Sequence, residues 1–291
     1  MENELVAALA DTLQLLNQGA YTINGKTVEL RLSRERMEAS HVLLPEKLAE
    51  IGRRKLARTG LTESCRVDCV RRDSFAAAVE LTRKDSEGAG LSKPVLVLNF
   101  ANPVNIGGGV YKGARTQEED LCRRSSLLRS LESSHAFSYY RYNRGLHTHM
   151  GSDAILLSPE VEIIKDECLN RMEETCIVAV LTCAAPMISY GTEGLSEEAY
   201  RRMFYGRILR VLQCAAYFDY ENLVLGAWGC GAFGNDAAVV AELFKDALKD
   251  FNWDGLSVRE LFRNIVFAVR SRGGVSYNYA QFNERFGSGR F

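Results

Sequence analysis

The amino-acid sequence predicts an α/β protein: a three-layer α/β/α core with a mixed, largely parallel sheet and an N-terminal helical accessory segment. The first observation behind this prediction is that strand-like apolar segments alternate with amphipathic segments from Cys65 onward. Such alternation is typical of βα units, whose strands form parallel sheets. The second is that two glycine-rich loops, at residues 107–109 and 229–234, each follow an apolar segment and precede a helical one. No internal repeat, low-complexity tract or interdomain linker interrupts the pattern.

The N-terminal segment, residues 1–62, is predicted to be an accessory layer on a core of residues 63–291. Residues 3–17 have the apolar spacing of an amphipathic helix. Asn24 and Gly25 lie between alternating residues and predict a two-residue hairpin turn. Residues 34–58 are charged and are expected to be helical, with an interruption at Pro45. Because the segment has too few apolar residues to fold securely alone, we expect it to pack on the core.

The core elements are predicted from apolar runs, from capping residues and from hydrophobic periodicity. Predicted strands are at residues 65–70, 95–100, 154–157, 161–164, 176–182, 222–227 and 264–269. Predicted helices are at residues 75–83, 117–131, 196–217, 236–250 and 279–286. Residues 87–90 are expected to form a loop. Residues 133–152, rich in Tyr, His, Asn and Gly, are expected to form an irregular excursion of the kind that often lines sites.

The composition is that of an ordinary globular protein and favours no membrane or nucleic-acid partner. Hydrophobic residues make up 46% and charged residues 25% of the 291 residues. The net charge of −1 provides no electrostatic basis for sequence-specific nucleic-acid binding or for membrane binding. No apolar run reaches the length of a transmembrane helix. The first residues are acidic and lack the basic region of a secretory signal, so we expect a cytoplasmic protein.

Cysteine and histidine patterns predict neither disulfides nor a metal site. None of the eight cysteines forms a C-x-x-C pair, and reduced thiols are expected in a cytoplasmic protein. His147 and His149 form an H-x-H pair, but no Cys or carboxylate follows at a zinc-like spacing. We therefore expect no metal.

The first glycine loop carries the strongest functional pattern in the chain. After the strand predicted at 95–100 come Asn102, three successive glycines and a helix that starts at Gln117. The first turn of this helix contains two adjacent carboxylates, Glu118 and Glu119. Successive glycine N–H groups can form an anion-binding nest, and carboxylates beside it favour acid/base chemistry on a phosphorylated compound. The alternative interpretation is a capping box, because Thr116 and Glu119 have the S/T-x-x-E spacing.

The second glycine loop matches G-x-G-x-x-G through Gly229, Gly231 and Gly234. Its position after a strand and before a helix suits a diphosphate at a helix N-terminus. An NAD-dependent dehydrogenase is a competing hypothesis, but only about 55 residues follow, too few for the usual dinucleotide-binding half. A tight βα turn is the structural alternative. Cys230 lies inside this loop, and since no histidine is close in sequence we do not interpret it as a nucleophile.

The triple glycine, the seven residues 110–116 and the Gln-Glu-Glu that follows resemble the signature of bacterial-type poly(ADP-ribose) glycohydrolases. The resemblance extends from about residue 60 to the C-terminus. It continues through the Arg-Arg-Ser-Ser at 123–126, the Tyr-Asn-Arg at 142–144, the Ala-Ala-Pro at 184–186 and the block at 226–236. These enzymes have a macrodomain core and hydrolyse the ribose–ribose bond of poly(ADP-ribose).

The resemblance implies a role for each part of both loops. Glu119 would be the general acid and then the general base, and Glu118 would position ribose hydroxyls. Asn102 would contact the distal ribose, with turn chemistry as its alternative. The other residues that the resemblance places at the substrate are Gly107, Gly108, Gly109, Gln117, Gly229, Cys230, Gly231, Ala232, Phe233 and Gly234. The implied partners are poly(ADP-ribose) or ADP-ribosylated macromolecules, with ADP-ribose as product and no metal or organic cofactor.

Two other functions use the same pocket. One is a module that binds ADP-ribose without hydrolysing it, although the presence of both Glu118 and Glu119 argues against a pure reader. The other is a hydrolase of mono-ADP-ribosylated protein or nucleic acid. The sequence departs from the family after Val269, where Arg270 and Ser271 replace an aromatic residue and an acid. The adenine contacts are therefore left open.

Overall fold

The computed structural model describes residues 2–56, 60–61, 65–86, 93–271, 273–287 and 289. Among these residues the strands are β1 (Ala20–Ile23), β2 (Lys26–Glu29), β3 (His41–Leu43), β4 (Arg66–Val70), β5 (Leu96–Phe100), β6 (Ile155–Lys165), β7 (Arg171–Cys183), β8 (Asn222–Leu225), β9 (Asn252–Trp253), β10 (Leu256–Ser257) and β11 (Asn264–Ala268). The helices are α1 (Glu2–Gln18), α2 (Arg34–Glu38), α3 (Pro45–Ile51), α4 (Ser74–Ser86), α5 (Gln117–Arg124), α6 (Leu127–Leu131), α7 (Phe137–Gly145), α8 (Glu197–Tyr217), α9 (Ala237–Asp250), α10 (Val258–Leu261) and α11 (Tyr277–Phe286). A short 3₁₀ helix, Val110–Lys112, lies in the first glycine loop.

The central sheet of the described residues has seven strands in the order β3-β6-β7-β5-β8-β11-β4. The five strands from β7 to β4 run parallel, whereas β6 pairs antiparallel with both β3 and β7. The predicted mixed, largely parallel sheet is therefore confirmed. In this arrangement the carboxyl ends of β5, β8 and β11 lie at one edge, where α/β sheets bind their ligands.

Both faces of the sheet are covered by helices. Along β5, Leu96 and Leu98 pack into one apolar cluster and Val97 into the other, as expected when successive side chains point to opposite faces. Helices α3, α8, α9 and α11 cover the first face, and α1, α4, α5, α6 and α7 cover the second. This confirms the three-layer α/β/α prediction.

The N-terminal segment joins the core by side-chain packing and by one strand. Leu9 of α1 lies in the same apolar cluster as Leu121 of α5. The Asn24-Gly25 hairpin is present, with Ile23 opposite Lys26. Strand β3 belongs to the central sheet, so this segment also contributes to the sheet itself. The domain division between residues 62 and 63 lies outside the described residues, as does the loop predicted at 87–90, and both remain predictions.

Two local predictions were wrong in part because pairing with distant residues decided the outcome. Residues 34–58 are not continuously helical, since β3 pairs with the end of β6. The helix predicted at 117–131 breaks at Ser125, whose hydroxyl bonds Leu121 O and Leu127 N at 2.8 and 3.1 Å. Ser126 makes two hydrogen bonds with the backbone of Glu162 in β6. These bonds to a strand take the place of bonds that would continue the helix.

The excursion predicted at 133–152 also needs correction, because it contains α7. Burial of Tyr139 and Tyr140 in the core stabilises this helix. The two short strands predicted at 154–157 and 161–164 are one strand, β6, with a bulge between Ser158 and Val161. No helix among the described residues is long and apolar enough to cross a membrane.

Candidate active site

Glu119 is held by the loop that precedes its own helix. The backbone nitrogen of Gly109 donates a 2.8 Å hydrogen bond to its Oε1, and the Thr116 hydroxyl donates to its Oε2. Thr116 is the N-cap residue of α5, yet its side chain makes no capping bond to the helix backbone. The capping-box interpretation therefore fails: Thr116 and Glu119 bond each other through their side chains, and the 5% exposed carboxylate is anchored on the glycine loop.

Glycine is required in this loop because the two carboxylates approach its backbone closely. Gly107 and Gly108 have φ of +63° and +61°, a region that residues with a side chain rarely adopt. A Cβ at Gly108 would lie 2.4 Å from Oε1 of Glu119 and 3.1 Å from Oε2 of Glu118. The triple glycine and the carboxylate pair thus form one packed unit.

Glu118 is 1% exposed and is bonded to the end of β5. Its Oε2 accepts a 2.8 Å hydrogen bond from the backbone nitrogen of Asn102, and its Oε1 accepts a 3.2 Å bond from the Asn99 amide. Burial, and to a smaller extent the neighbouring Glu119 charge, raises the pKa of Glu118 to about 8 against the lowering effect of these two hydrogen bonds. The two adjacent carboxyl groups therefore have different environments, which is typical of acid/base sites.

The side chains of Gln117 and Asn102 each make hydrogen bonds to the protein backbone. Gln117 Oε1 accepts from Phe100 N at 2.9 Å, and its Nε2 donates to Leu98 O at 2.8 Å, so its side chain locks the start of α5 to β5. Asn102 Oδ1 accepts from Val104 N at 3.0 Å, which is the turn chemistry considered above. A contact of either residue with substrate remains a prediction.

The second glycine loop is organised by Asn235, a residue that the sequence analysis did not single out. Its Nδ2 donates to Pro186 O at 2.8 Å and to Gly229 O at 2.9 Å, and its Oδ1 accepts from the Tyr200 hydroxyl at 2.7 Å. A Cβ at Gly229 would lie 2.4 Å from that Nδ2. The available sequence signal was an asparagine directly after the last glycine of the G-x-G-x-x-G pattern. Asp236, predicted as the start of the next helix, caps α9 through a 2.7 Å bond from Ala238 N.

A cavity of about 320 Å³ lies between the start of α5, the second glycine loop and the ends of β5 and β11. It brings together five of the predicted binding residues: Gln117, Gly229, Gly231, Ala232 and Phe233. The other predicted residues, namely Asn102, Gly107, Gly108, Gly109, Glu118, Glu119, Cys230 and Gly234, are not part of its lining. Thr116 lines the cavity and bonds Glu119, so the predicted general acid lies one residue away from the cavity lining.

The cavity lining includes charged residues that the sequence analysis did not single out, among them Asp73 and Asp120. Arg124 is 2% exposed, and its guanidinium contacts Asp73 at 2.7 Å and Asp120 at 2.8 Å. Burial opposes the ionisation of Asp73, but the Arg124 charge and hydrogen bonds outweigh it and hold the pKa of Asp73 below its usual range. Arg270, the residue at which the sequence departs from the family, lies 4.0 Å from Asp120. Helical (i, i+4) spacing of Asp120 and Arg124 was the available signal.

Histidine and cysteine side chains have other roles. His149 Nδ1 lies 2.9 Å from Oε1 of Glu193, a polar contact between two loops. Across the described ranges, no group of three or more His, Cys, Asp or Glu side chains has the arrangement of a metal site. Burial raises the pKa of the Cys230 thiol to about 12, so it is not a ready nucleophile.

Comparison with known proteins identifies the family. The family model for the microbial-type PARG catalytic domain matches residues 9–166. The structure is similar to the crystal structure of poly(ADP-ribose) glycohydrolase from Thermomonospora curvata, with a TM-score of 0.87. The two sequences are 32% identical, and the match covers 98% of this chain and 100% of that chain. The same enzyme bound to the inhibitor ADP-HPD matches with 32% identity and a TM-score of 0.84 over the same shares.

The enzyme from Deinococcus radiodurans in complex with ADP-ribose is 30% identical, with a TM-score of 0.74 over 89% of this chain and 98% of that chain. No curated protein matches the chain. The sheet order, the paired carboxylates on a triple-glycine loop and these similarities agree, and the chain belongs to the microbial-type PARG family, the poly(ADP-ribose) glycohydrolases.

Proposed function

We propose that this glycohydrolase cleaves the ribose–ribose O-glycosidic bonds of poly(ADP-ribose) through Glu119, without a metal, and releases ADP-ribose. The observation that supports this best is the environment of the Glu119 carboxyl group. Gly109 N and the Thr116 hydroxyl fix both of its oxygens beside a cavity that suits part of a nucleotide. A general acid or base needs a defined orientation of this kind before proton transfer can be efficient.

In the first step, protonated Glu119 gives its proton to the departing ribose oxygen. The glycosidic C–O bond breaks with its electron pair going to that oxygen, and the anomeric carbon becomes oxocarbenium-like. In the second step, the Glu119 carboxylate takes a proton from a water molecule whose oxygen attacks the anomeric carbon. Glu119 is then protonated again, ADP-ribose carries the new hydroxyl group, and the shortened polymer leaves.

Glu118 differs from Glu119 in its proposed role. With a pKa of about 8 it is mostly protonated at neutral pH, so it does not place a second full negative charge beside Glu119. A neutral carboxyl group can both donate and accept hydrogen bonds, which suits ribose hydroxyls. We therefore assign Glu118 to substrate positioning and Glu119 to proton transfer.

The substrate is proposed to lie between the two glycine loops. The second loop would hold the diphosphate on its backbone N–H groups and on the start of α9, and Phe233 would order the terminal ribose. Asn102 would contact the distal ribose. ADP-ribose should accordingly bind the folded protein, which isothermal calorimetry measures directly. Absence of ADP-ribose binding would contradict this arrangement.

The decisive experiment is incubation of the purified protein with labelled poly(ADP-ribose) in EDTA, followed by chromatography of the products. Free ADP-ribose is the expected product. Polymer binding without any product would favour the reader module instead. A parallel incubation with mono-ADP-ribosylated peptide tests the other alternative, and release from that substrate alone would replace the polymer with a mono-adduct.

A further inference from the structure

We propose that Thr116 is a positioning residue for Glu119: its hydroxyl sets the orientation of the Glu119 carboxyl group and its affinity for the transferred proton. This inference rests on the proposed function of Glu119. Thr116 lines the cavity, whereas Glu119 is 5% exposed and does not. Thr116 is therefore the side chain that stands between the cavity and the general acid.

Thr116 occupies a capping position but bonds a side chain instead of capping the helix. It occupies the N-cap position of α5, where a hydroxyl ordinarily accepts a bond from the helix backbone. Ser196 does so at the start of α8, accepting from Ala199 N at 3.2 Å, and Ser276 does so at the start of α11, accepting from Tyr279 N at 3.2 Å. The Thr116 side chain makes no such bond and donates its proton to Oε2 of Glu119 instead.

The two hydrogen-bond donors to Glu119 restrict the orientation of its carboxyl group and the positions open to the catalytic proton. A carboxylate has about two acceptor positions on each oxygen. Gly109 N takes one position on Oε1, and the Thr116 hydroxyl takes one position on Oε2. With both oxygens held, the carboxyl plane cannot rotate about its broad terminal torsion. One position then remains on each oxygen, and the one on Oε2 can receive and give up the proton while the Thr116 bond persists.

Loss of the hydroxyl should change both orientation and proton affinity. Glu119 would keep only the bond from Gly109, so its carboxyl group would sample orientations that are not productive. A hydrogen bond to the ionised form is stronger than one to the neutral form, so removing the donor makes protonation easier. Hydrogen bonds to charged groups are worth enough to change a rate or an equilibrium on the order of 10-fold.

The test compares Thr116→Val, which has the same shape without the hydroxyl, with Thr116→Ser, which keeps the hydroxyl. In Thr116→Val we expect kcat for ADP-ribose release to fall on the order of 10-fold and the alkaline limb of the pH–kcat profile, where the general acid loses its proton, to move to higher pH by roughly one unit. Thr116→Ser should restore both. The affinity for ADP-ribose should stay within roughly 2-fold of wild type, since the second glycine loop is unchanged.

A second readout does not need turnover. Glutamate labelled with ¹³C at the carboxyl carbon reports the titration midpoint of Glu119 by NMR, and Glu119→Gln assigns the signal. The midpoint should rise in Thr116→Val and return in Thr116→Ser. An unchanged midpoint, or an unchanged kcat and pH profile, would overturn the inference. If the wild-type protein releases no ADP-ribose, the proposed function fails while the NMR titration still decides the role of Thr116.

Ser196→Ala is the matched control for a purely structural cap. It removes a true capping bond at a residue that does not line the cavity and should lower the melting temperature while leaving kcat and the pH profile unchanged. Thr116→Val should show the opposite combination, because its hydroxyl caps nothing. A Thr116→Val protein that behaves like Ser196→Ala would reduce Thr116 to a helix cap and contradict the proposal.

Discussion

The carboxylate of Glu119 accepts a 2.8 Å hydrogen bond from the backbone nitrogen of Gly109, ten residues before it in the chain. A capping box would have directed this carboxylate to the backbone nitrogen of Thr116. The bond to Gly109 instead ties the triple glycine to the Gln-Glu-Glu that follows. The two halves of the signature are therefore one structural unit, in which a glycine loop orients the side chain that we propose as acid and base.

Glu119→Gln should lower turnover by about 10²–10⁴-fold, because an amide cannot exchange the catalytic proton. The fold should be preserved: the amide oxygen can still accept from Gly109, and the amide nitrogen can donate to the Thr116 hydroxyl. Steady-state kinetics, ADP-ribose calorimetry and melting temperature are the measurements. Glu118→Gln is the companion variant and should reduce turnover less. Wild-type turnover in Glu119→Gln would refute the assignment.

Gly108→Ala should damage both the fold and the activity. The new Cβ would lie 2.4 Å from Oε1 of Glu119, at a backbone φ of +61° that alanine disfavours. We expect the free energy of unfolding to fall by at least about 1 kcal/mol, together with a loss of turnover. Gly206→Ala is the matched control: no heavy atom lies within 4 Å of its Cβ position in α8, so it should raise stability by about 0.4–1 kcal/mol. Equal effects of both substitutions in denaturant unfolding would contradict this account.

Glu118 should make stability depend on pH between about 4.5 and 8. Its pKa is raised from 4.5 to about 8 by burial, so the folded state binds the proton more tightly than the unfolded state. Its stabilising contribution is complete below about pH 4.5 and is lost as the pH rises to about 8, by roughly 1.4 kcal/mol per pH unit at most. Chemical unfolding from pH 5.5 to 7.5 measures this slope.

In the same unfolding series, Glu118→Gln should have a flatter pH dependence than wild type. Glu35→Gln, at an exposed position in α2, should keep the wild-type slope. Identical slopes in wild type and Glu118→Gln would show that Glu118 is ionised throughout this range.

Activity should survive thiol alkylation and chelation. Cys168 is exposed and should react first with iodoacetamide, whereas burial keeps the pKa of Cys230 near 12. We expect mass spectrometry to locate the modification at Cys168, with turnover unchanged, and Cys230→Ser to retain wild-type kcat. Loss of turnover in EDTA that a specific divalent metal restores would contradict the carboxylate mechanism.

Local chemistry determined those parts of the fold that the sequence predicted correctly. Asn24-Gly25 specifies its hairpin, and Ser196 and Asp236 specify the starts of α8 and α9, because turn and cap bonds join residues only a few positions apart. The strand, glycine loop and helix around Glu119 were predictable for the same reason. Strand β3 was not, since three residues have no usable periodicity and depend on pairing with β6.

The candidate site can also be divided into features that nearby residues predict and features that depend on distant segments. The order of residues alone places two adjacent carboxylates in the first turn of α5 after a triple glycine. Packing of distant segments then buries Glu118 against Asn102, while Gly109 and Thr116 hold Glu119. The same packing lets Asn235 tie the second loop across the fold. Burial and hydrogen-bond partners depend on which distant segments exclude water from a side chain, and no pattern of neighbouring residues contains that information.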